Sequence, residues 1–198
     1  PDALTCSVVQ VSPVSINGGN DGSATVTPVG GTAPYTYLWD NNETTQTAIA
    51  LTSGSHSVTV TDDNGCTTSC SVTITQPDVL TCSVDLVSNV LCNGDSDGSA
   101  TVNPVGGVAP YTYLWDNLET TQTASALNAG SHSVTVTDNN GATTSCSITI
   151  TEPDALTCSV VQVSPVSING GNDGSATVTP VGGTAPYTYL WDNNETTQ

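Results

Sequence analysis

The chain contains no lysine and no arginine in 198 residues, and no methionine or phenylalanine. Without basic side chains nothing can neutralise phosphate, which excludes nucleic-acid binding. Attraction to an anionic membrane surface is excluded for the same reason. Trypsin has no bond to cut. An enzyme would lack the cations that commonly stabilise an anionic transition state, and no nucleophile motif is present, so the sequence reads as a non-enzyme. The formal charge is −18, yet only 9% of residues are charged, against about a quarter in an ordinary globular domain. The surface is therefore expected to be neutral Thr, Ser, Asn and Gly dotted with carboxylates, for which cations are the natural counter-charge. No helical stretch is seen, and no membrane span or signal peptide is visible, though a window on a longer chain would not show either.

What is present is repetition. Pro1 recurs as Pro77 and Pro153, and Trp39 as Trp115 and Trp191, a period of 76 residues. Residues 1–76 and 77–152 agree at 58 of 76 positions, and 153–198 matches 1–46 without a change. A fixed period is the mark of an array. Three repeats are expected: 1–76, 77–152 and a truncated 153–198. The third stops before the counterparts of Leu51, Val58 and Val60, so its core is expected to stay open. The chain reads as a window on a longer array.

Within a repeat, apolar and polar residues alternate with period two. Leu4, Cys6 and Val8 share one face of a first strand, and Ala24 and Val26 one face of a second. Tyr35, Tyr37 and Trp39 share a third. His56, Val58 and Val60 alternate with Ser57, Thr59 and Thr61, and Cys70, Val72 and Ile74 close the unit. Asp63-Asn64-Gly65 is expected to make a hairpin through a type I′ turn. Many short antiparallel strands in fewer than 80 residues indicate an all-β fold of tandem immunoglobulin-like sandwiches in a linear array. Termini at opposite poles call for an odd strand number, and seven are expected. The linker Thr75-Gln76-Pro77-Asp78 is short, and proline fixes its φ, so the joint is expected to be stiff.

Cys6 and Cys70 both face inward and recur as Cys82 and Cys146, which reads as one disulfide per repeat. Zinc would want CxxC pairs or nearby histidine, and neither exists. A thin core benefits from such a staple, and disulfides place the chain outside the cytoplasm. Two cysteines break the pattern. Cys66 becomes Ala142 in the next repeat, and Cys92 stands where Ile16 and Ile168 stand. They are either two unpaired thiols or an inter-repeat bond, joining Cys66 to Cys92 or Cys92 to the next repeat's copy of Cys66. In the second case the covalent pattern repeats every 152 residues.

Calcium is the candidate cofactor. Asn93, Asp95 and Asp97 put oxygens at alternate positions before a glycine, with Asp21 in the counterpart loop. Asp62, Asp63 and Asp78 form a second candidate set near a junction. The plainer reading is turn chemistry, which demands the same residues. The aromatic strand could stack on sugars, but alternation on one strand more commonly means core. His56 and His132 read as partly buried strand residues, not as members of a triad. Outward threonines suit exposed strand positions. They are candidate O-glycan sites, while the Asn42-Glu43-Thr44 sequon reads as incidental.

The stretch Asn17-Gly18, Asp21-Gly22-Ser23-Ala24-Thr25-Val26, Gly30-Gly31-Thr32-Ala33-Pro34-Tyr35-Thr36-Tyr37-Leu38-Trp39 and then Val58-Thr59-Val60-Thr61-Asp62, Asn64-Gly65 resembles the SprB repeat family of giant surface adhesins linked to gliding motility. The resemblance covers nearly the whole unit in every copy. His56 and His132 depart from it, standing where the family usually has Tyr. The family's paired cysteines around Asn17 and Cys66 are here split between repeats. The resemblance implies an exported, cell-surface, tandem-domain protein and supplies no ligand. The expected function is a structural extracellular filament or adhesin stalk. Its partners would be neighbouring repeats and other copies in a fibre. The alternative is a glycan- or ligand-binding adhesin module that gains strength from avidity.

Overall fold

Strict alternation of β-formers leaves the chain no route to a helix, and none is found in the computed structural model, which describes residues 2–198. The first repeat holds six strands: β1 (Thr5–Ser12), β2 (Gly22–Val29), β3 (Thr36–Trp39), β4 (Thr47–Leu51), β5 (Gly54–Thr61) and β6 (Thr67–Ile74). They form two antiparallel three-stranded sheets, β1-β2-β4 and β3-β5-β6. The second repeat has the same order, with β7 (Thr81–Ser88), β8 (Gly98–Val105) and β10 (Thr123–Leu127) in one sheet. The other contains β9 (Thr112–Trp115), β11 (Gly130–Thr137) and β12 (Thr143–Ile150). Residues 153–198 form one hairpin, β13 (Thr157–Ser164) with β14 (Ser175–Val181).

Six strands replace the expected seven, and the termini still leave from opposite poles. The parity argument assumed a reversal after every strand. β3 is antiparallel to β5, and β2 to β4. Between Trp39 and Thr47 the chain changes sheet without reversing, so β3 and β4 run the same way. Glu43 organises this crossing: its carboxylate accepts from the N–H groups of Ile49 and Ala50 and from Asn41 Nδ2. Burial alone would raise the Glu43 pKa; these donors outweigh it and hold the carboxyl below its ordinary value.

The hairpin turn also differs from expectation. Asp62 O accepts from Gly65 N–H, and in this turn only Gly65 takes a positive φ, of 80°. A type I′ turn needs two such residues. The loop is longer because Thr61 pairs with Thr67, and Asp62 fills it, as described below.

The core lies between the sheets. Val14, Ala24, Val26, Trp39, Ala48, Leu51, Val58, Val60 and Ile74 are buried together, with Tyr35, Tyr37, Cys6 and Cys70 packed against them. Trp39 is 1% exposed, and its Nε1 donates to Thr45 O at 2.9 Å. Tyr35 OH donates to Gly30 O. The aromatic strand is therefore core. Cys6 and Cys70 are joined, with Cα atoms 6.0 Å apart, and Cys82 and Cys146 are disulfide-bonded as well. In residues 153–198 the matching side chains lie open: Val160 is 57% exposed, and Trp191 is only partly covered.

Candidate functional site at the repeat joints

Each repeat has a leading pole, where the chain comes in, and a trailing pole, where it leaves. At the leading pole, Gly31 N–H donates to Asp2 O at 2.9 Å. The double-glycine turn makes this approach possible. Gly30 and Gly31 have φ of 75° and 64°, and a Cβ on Gly30 would strike the Ala3 carbonyl. Asp62 sits beneath the turn, 6% exposed. Its carboxylate accepts from the N–H groups of Thr32 (3.0 Å), Asn64 (3.0 Å) and Cys66 (2.8 Å). Burial pushes its pKa up, and these donors more than reverse that, so the carboxyl titrates below its ordinary value. Asp138 holds the second repeat's pole in the same way, through Val108, Asn140 and Ala142.

At the trailing pole, Val14 N–H donates to Thr75 O, tying the β1–β2 loop to the end of β6. Asp21 Oδ1 accepts from Ser15 N–H at 2.9 Å, and its bonds to Ser15 lower its pKa. Above this loop runs the linker. Asn17 Nδ2 donates to Pro77 O at 2.9 Å, and Gly18 N–H donates to Gln76 Oε1 at 2.9 Å. One residue later, Asp78 O accepts from Gly107 N–H at 2.9 Å, at the next repeat's leading pole. The linker is thus gripped by the repeat behind it and by the repeat ahead.

The second joint repeats this pattern. Asn93 Nδ2 donates to Pro153 O, Gly94 N–H to Glu152 Oε2 at 2.6 Å, and Gly183 N–H to Asp154 O at 2.7 Å. Around the first joint, Pro13, Val14, Ser15, Thr75, Pro77, Val108 and Asn140 line one groove. Asn140 Nδ2 crosses it and donates to Ser15 O at 2.7 Å. By backbone contacts, Pro104–Thr112 and Val136–Ser145 belong to the same compact unit as the residues up to Cys82. The rest, Ser83–Asn103, Tyr113–Thr135 and Cys146–Gln198, form a second unit.

The residues read as calcium ligands divide by pole. Asp21, Asn93, Asp95 and Asp97 lie at trailing poles. Asp62, Asp63 and Asp78 lie at leading ones. Asp97 Oδ1 accepts from Leu91 N–H, Asn93 gives its amide to the linker, and Asp95 N–H caps Cys92 O. Asp63 and Asp78 are exposed. Among the described residues, no group of three or more His, Cys, Asp or Glu side chains is placed to hold a metal. Cys66 and Cys92 are free and exposed. His56 Nδ1 lies 3.0 Å from Asp40 Oδ1 and its Nε2 lies 2.9 Å from Thr52 O, a local tie across a strand end.

Sequence reasoning missed the linker clamp. Its partners stand 58 and 60 residues apart, beyond any local pattern. A signal existed: Asn17 recurs as Asn93 and Asn169, while positions 15, 16, 19 and 20 all change in the second repeat.

The molecule is a tandem array of disulfide-bonded β-sandwich repeats with clamped joints. No described helix is long and apolar enough to cross a membrane. The chain belongs to the SprB repeat family, whose model matches residues 8–44, 86–120 and 160–196, more than half its length. No curated protein matches it. Among solved structures, it is similar to the C-terminal 282-residue fragment of intimin in complex with the intimin-binding domain of the translocated intimin receptor. There the identity is 13%, over 79% of this chain and 67% of that one, with a TM-score of 0.37. The fibronectin(III)-like modules of Clostridium thermocellum CbhA are similar at 15% identity, over 74% of this chain and 95% of that one, with a TM-score of 0.27. At these scores neither likeness bears on function.

Proposed function

We propose that the chain is a stretch of an extracellular, cell-surface filament or adhesin stalk, whose work is spacing and display rather than catalysis. The observation that carries this reading is the linker clamp. Gln76 is bonded to the end of its own repeat, Pro77 crosses to the repeat behind it, and Asp78 is bonded to the start of the repeat ahead; the second joint has the same three bonds. A flexible tether leaves its linker solvated; a spacer restrains it. Membership of the SprB repeat family and the disulfides agree with a surface location. The aromatics that a glycan would stack on are committed to the core, so spacing ranks above sugar binding. Gliding motility is the setting that the family implies.

Small-angle scattering of the intact chain tests the reading. The expected profile is that of one narrow conformer, unchanged between low and moderate salt. Asn17→Ala with Pro77→Gly is expected to broaden it. A broad distribution in the unsubstituted chain would end the stalk reading. Specific capture of the chain on a glycan array would favour the adhesin-module reading.

Calcium stands as a separate proposal, supported by the absence of any Lys or Arg to balance the charge of −18. A chelator is then expected to lower Tm. Unchanged melting after chelation removes calcium from the account.

A further inference from the structure

Five asparagines in this chain are followed by glycine: Asn17, Asn64, Asn93, Asn140 and Asn169. An Asn-Gly pair is prone to lose its side-chain amide, because glycine has no Cβ to shield its backbone nitrogen. That nitrogen can attack the asparagine Cγ once it gives up its proton and Cγ can come to it. A hydrogen bond from the glycine N–H holds the proton. A hydrogen bond from Nδ2 holds the side chain.

Four of the five pairs are held at both places, by two different means. In the hairpin loops the glycine is held from within the loop. Gly65 N–H donates to Asp62 O at 3.0 Å, and Gly141 N–H to Asp138 O at 3.1 Å. Their asparagines give Nδ2 to Thr32 Oγ1 and to Ser15 O. At the joints the hold comes from the linker. Gly18 N–H donates to Gln76 Oε1 and Asn17 Nδ2 to Pro77 O, both at 2.9 Å. Gly94 N–H donates to Glu152 Oε2 at 2.6 Å, and Asn93 Nδ2 to Pro153 O at 3.1 Å. Asn169 and Gly170 are exposed, and the pair has neither hold among the described residues. The bonds that clamp a linker are thus the bonds that restrain this reaction, and opening a joint frees both reacting atoms together.

We propose that Asn17 and Asn93 are self-modification sites that a closed joint keeps dormant, and that deamidation there releases the linker irreversibly. The Gly18 nitrogen bonds to Asn17 Cγ and the Cγ–Nδ2 bond breaks. The glycine proton leaves with that nitrogen as ammonia. Water then opens the cyclic imide at either carbonyl, giving aspartate or isoaspartate with no change of oxidation state. The product presents an acceptor where Nδ2 donated, and the Pro77 carbonyl has no proton to offer it. At the second joint the new carboxylate would adjoin the Gly94 amide that Glu152 holds, in a chain with no Lys or Arg to offset either charge. The reaction needs only the clamp and not a filament role.

The test ages the intact chain in mildly alkaline buffer and follows each pair by mass, since the acid is heavier than the amide it replaces. Digestion is done without reductant, because residues 153–198 repeat 1–46 and their peptides coincide in mass. The first repeat's peptide keeps its Cys6–Cys70 bond, while the third's carries an alkylated Cys158. Fragmentation places the gain at one asparagine. Asn169 is expected to convert several-fold faster than Asn17 and Asn93. Gln76→Ala should speed Asn17 several-fold and leave Asn93 unchanged, with tryptophan fluorescence showing that the variant is folded. Equal rates at Asn17 and Asn169, or an Asn17 rate indifferent to Gln76→Ala, would overturn the protection. Asn17→Asp makes the product directly and should speed amide exchange at Gly18 several-fold, with Gly94 as it was. Unchanged exchange at Gly18 would overturn the release.

Discussion

The joints at residues 76–78 and 152–154 hold their linkers with the same bonds and line them with different side chains. Asparagine to proline carbonyl, glycine amide to the side chain before proline, and glycine amide to the carbonyl after it occur in both. Around this constant frame, Ser15, Ile16 and Gln76 give way to Leu91, Cys92 and Glu152. The clamp depends on main-chain groups, one asparagine and a side-chain oxygen just before the proline, so the other surrounding side chains are free to differ. The bonds that hold a joint and the side chains that line it are thereby separable.

The comparison assumes that the sandwiches on either side of a joint are equivalent, and its hardest test is in the cores. Leu51 and Leu127 are both 0% exposed. Leu51→Ala and Leu127→Ala are each expected to cost about 2–5 kcal/mol, by similar amounts, in denaturant titrations followed by tryptophan fluorescence. Loss of the Cys6–Cys70 bond, which closes a span of 64 residues, belongs in the same range, about 4 kcal/mol by chain entropy. A clear gap between the two leucine variants would mean that the cores differ, and that the joints cannot be compared on sequence alone.

The next test sets the leading pole at the first joint, held by Asp138, against the leading pole of the first repeat, held by Asp62. Asp62 and Asp138 both titrate below the ordinary aspartate value of 3.8. The unfolded chain therefore takes up these protons first on acidification. Their stabilisation is complete above that value and is lost as pH falls through the lower folded one. Melting temperature should drop on acidification below about pH 4, and Asp62→Asn and Asp138→Asn should each flatten that drop. Asp138 also holds the loop that carries Asn140 to Ser15, so Asp138→Asn should weaken the first joint as well, seen as faster amide exchange at Gly18. Equal exchange in both variants would detach the joint from the pole.

Most of the sandwich was legible because alternation reports directly on which face is buried. Ala24, Val26, Trp39, Val58 and Ile74 were all read inward and all are buried. The Cys6–Cys70 bond followed from two inward cysteines. Parity was misread because the Trp39–Thr47 crossing depends on one glutamate accepting from amides six and seven residues ahead, which has no periodic signature. The acidic loops were legible as loops. Asp21, Asp62 and Asp97 turn their carboxylates toward backbone amides, and composition alone cannot distinguish that use of oxygen from a cation site. The clamp was illegible because its partners meet only after a whole repeat has folded.

The smallest effect isolates one atom. Gly18 N–H meets a neutral amide oxygen of Gln76 at 2.9 Å, and Gly94 N–H meets a carboxylate oxygen of Glu152 at 2.6 Å. Bonds to a charged acceptor are shorter and stronger, but both sites are exposed, so salt screens the difference. Glu152→Gln should make the second joint behave like the first, at a cost of about 1 kcal/mol or less. Removing one negative charge from a chain with no positive ones offsets part of that cost. The readout is amide exchange at Gly94, protected in the native chain at low salt and less so at high salt, and insensitive to salt once Glu152 is replaced. If Gly94 ignores salt before the substitution as well, the carboxylate adds nothing that an amide does not, and the two clamps are one device despite their different chemistry.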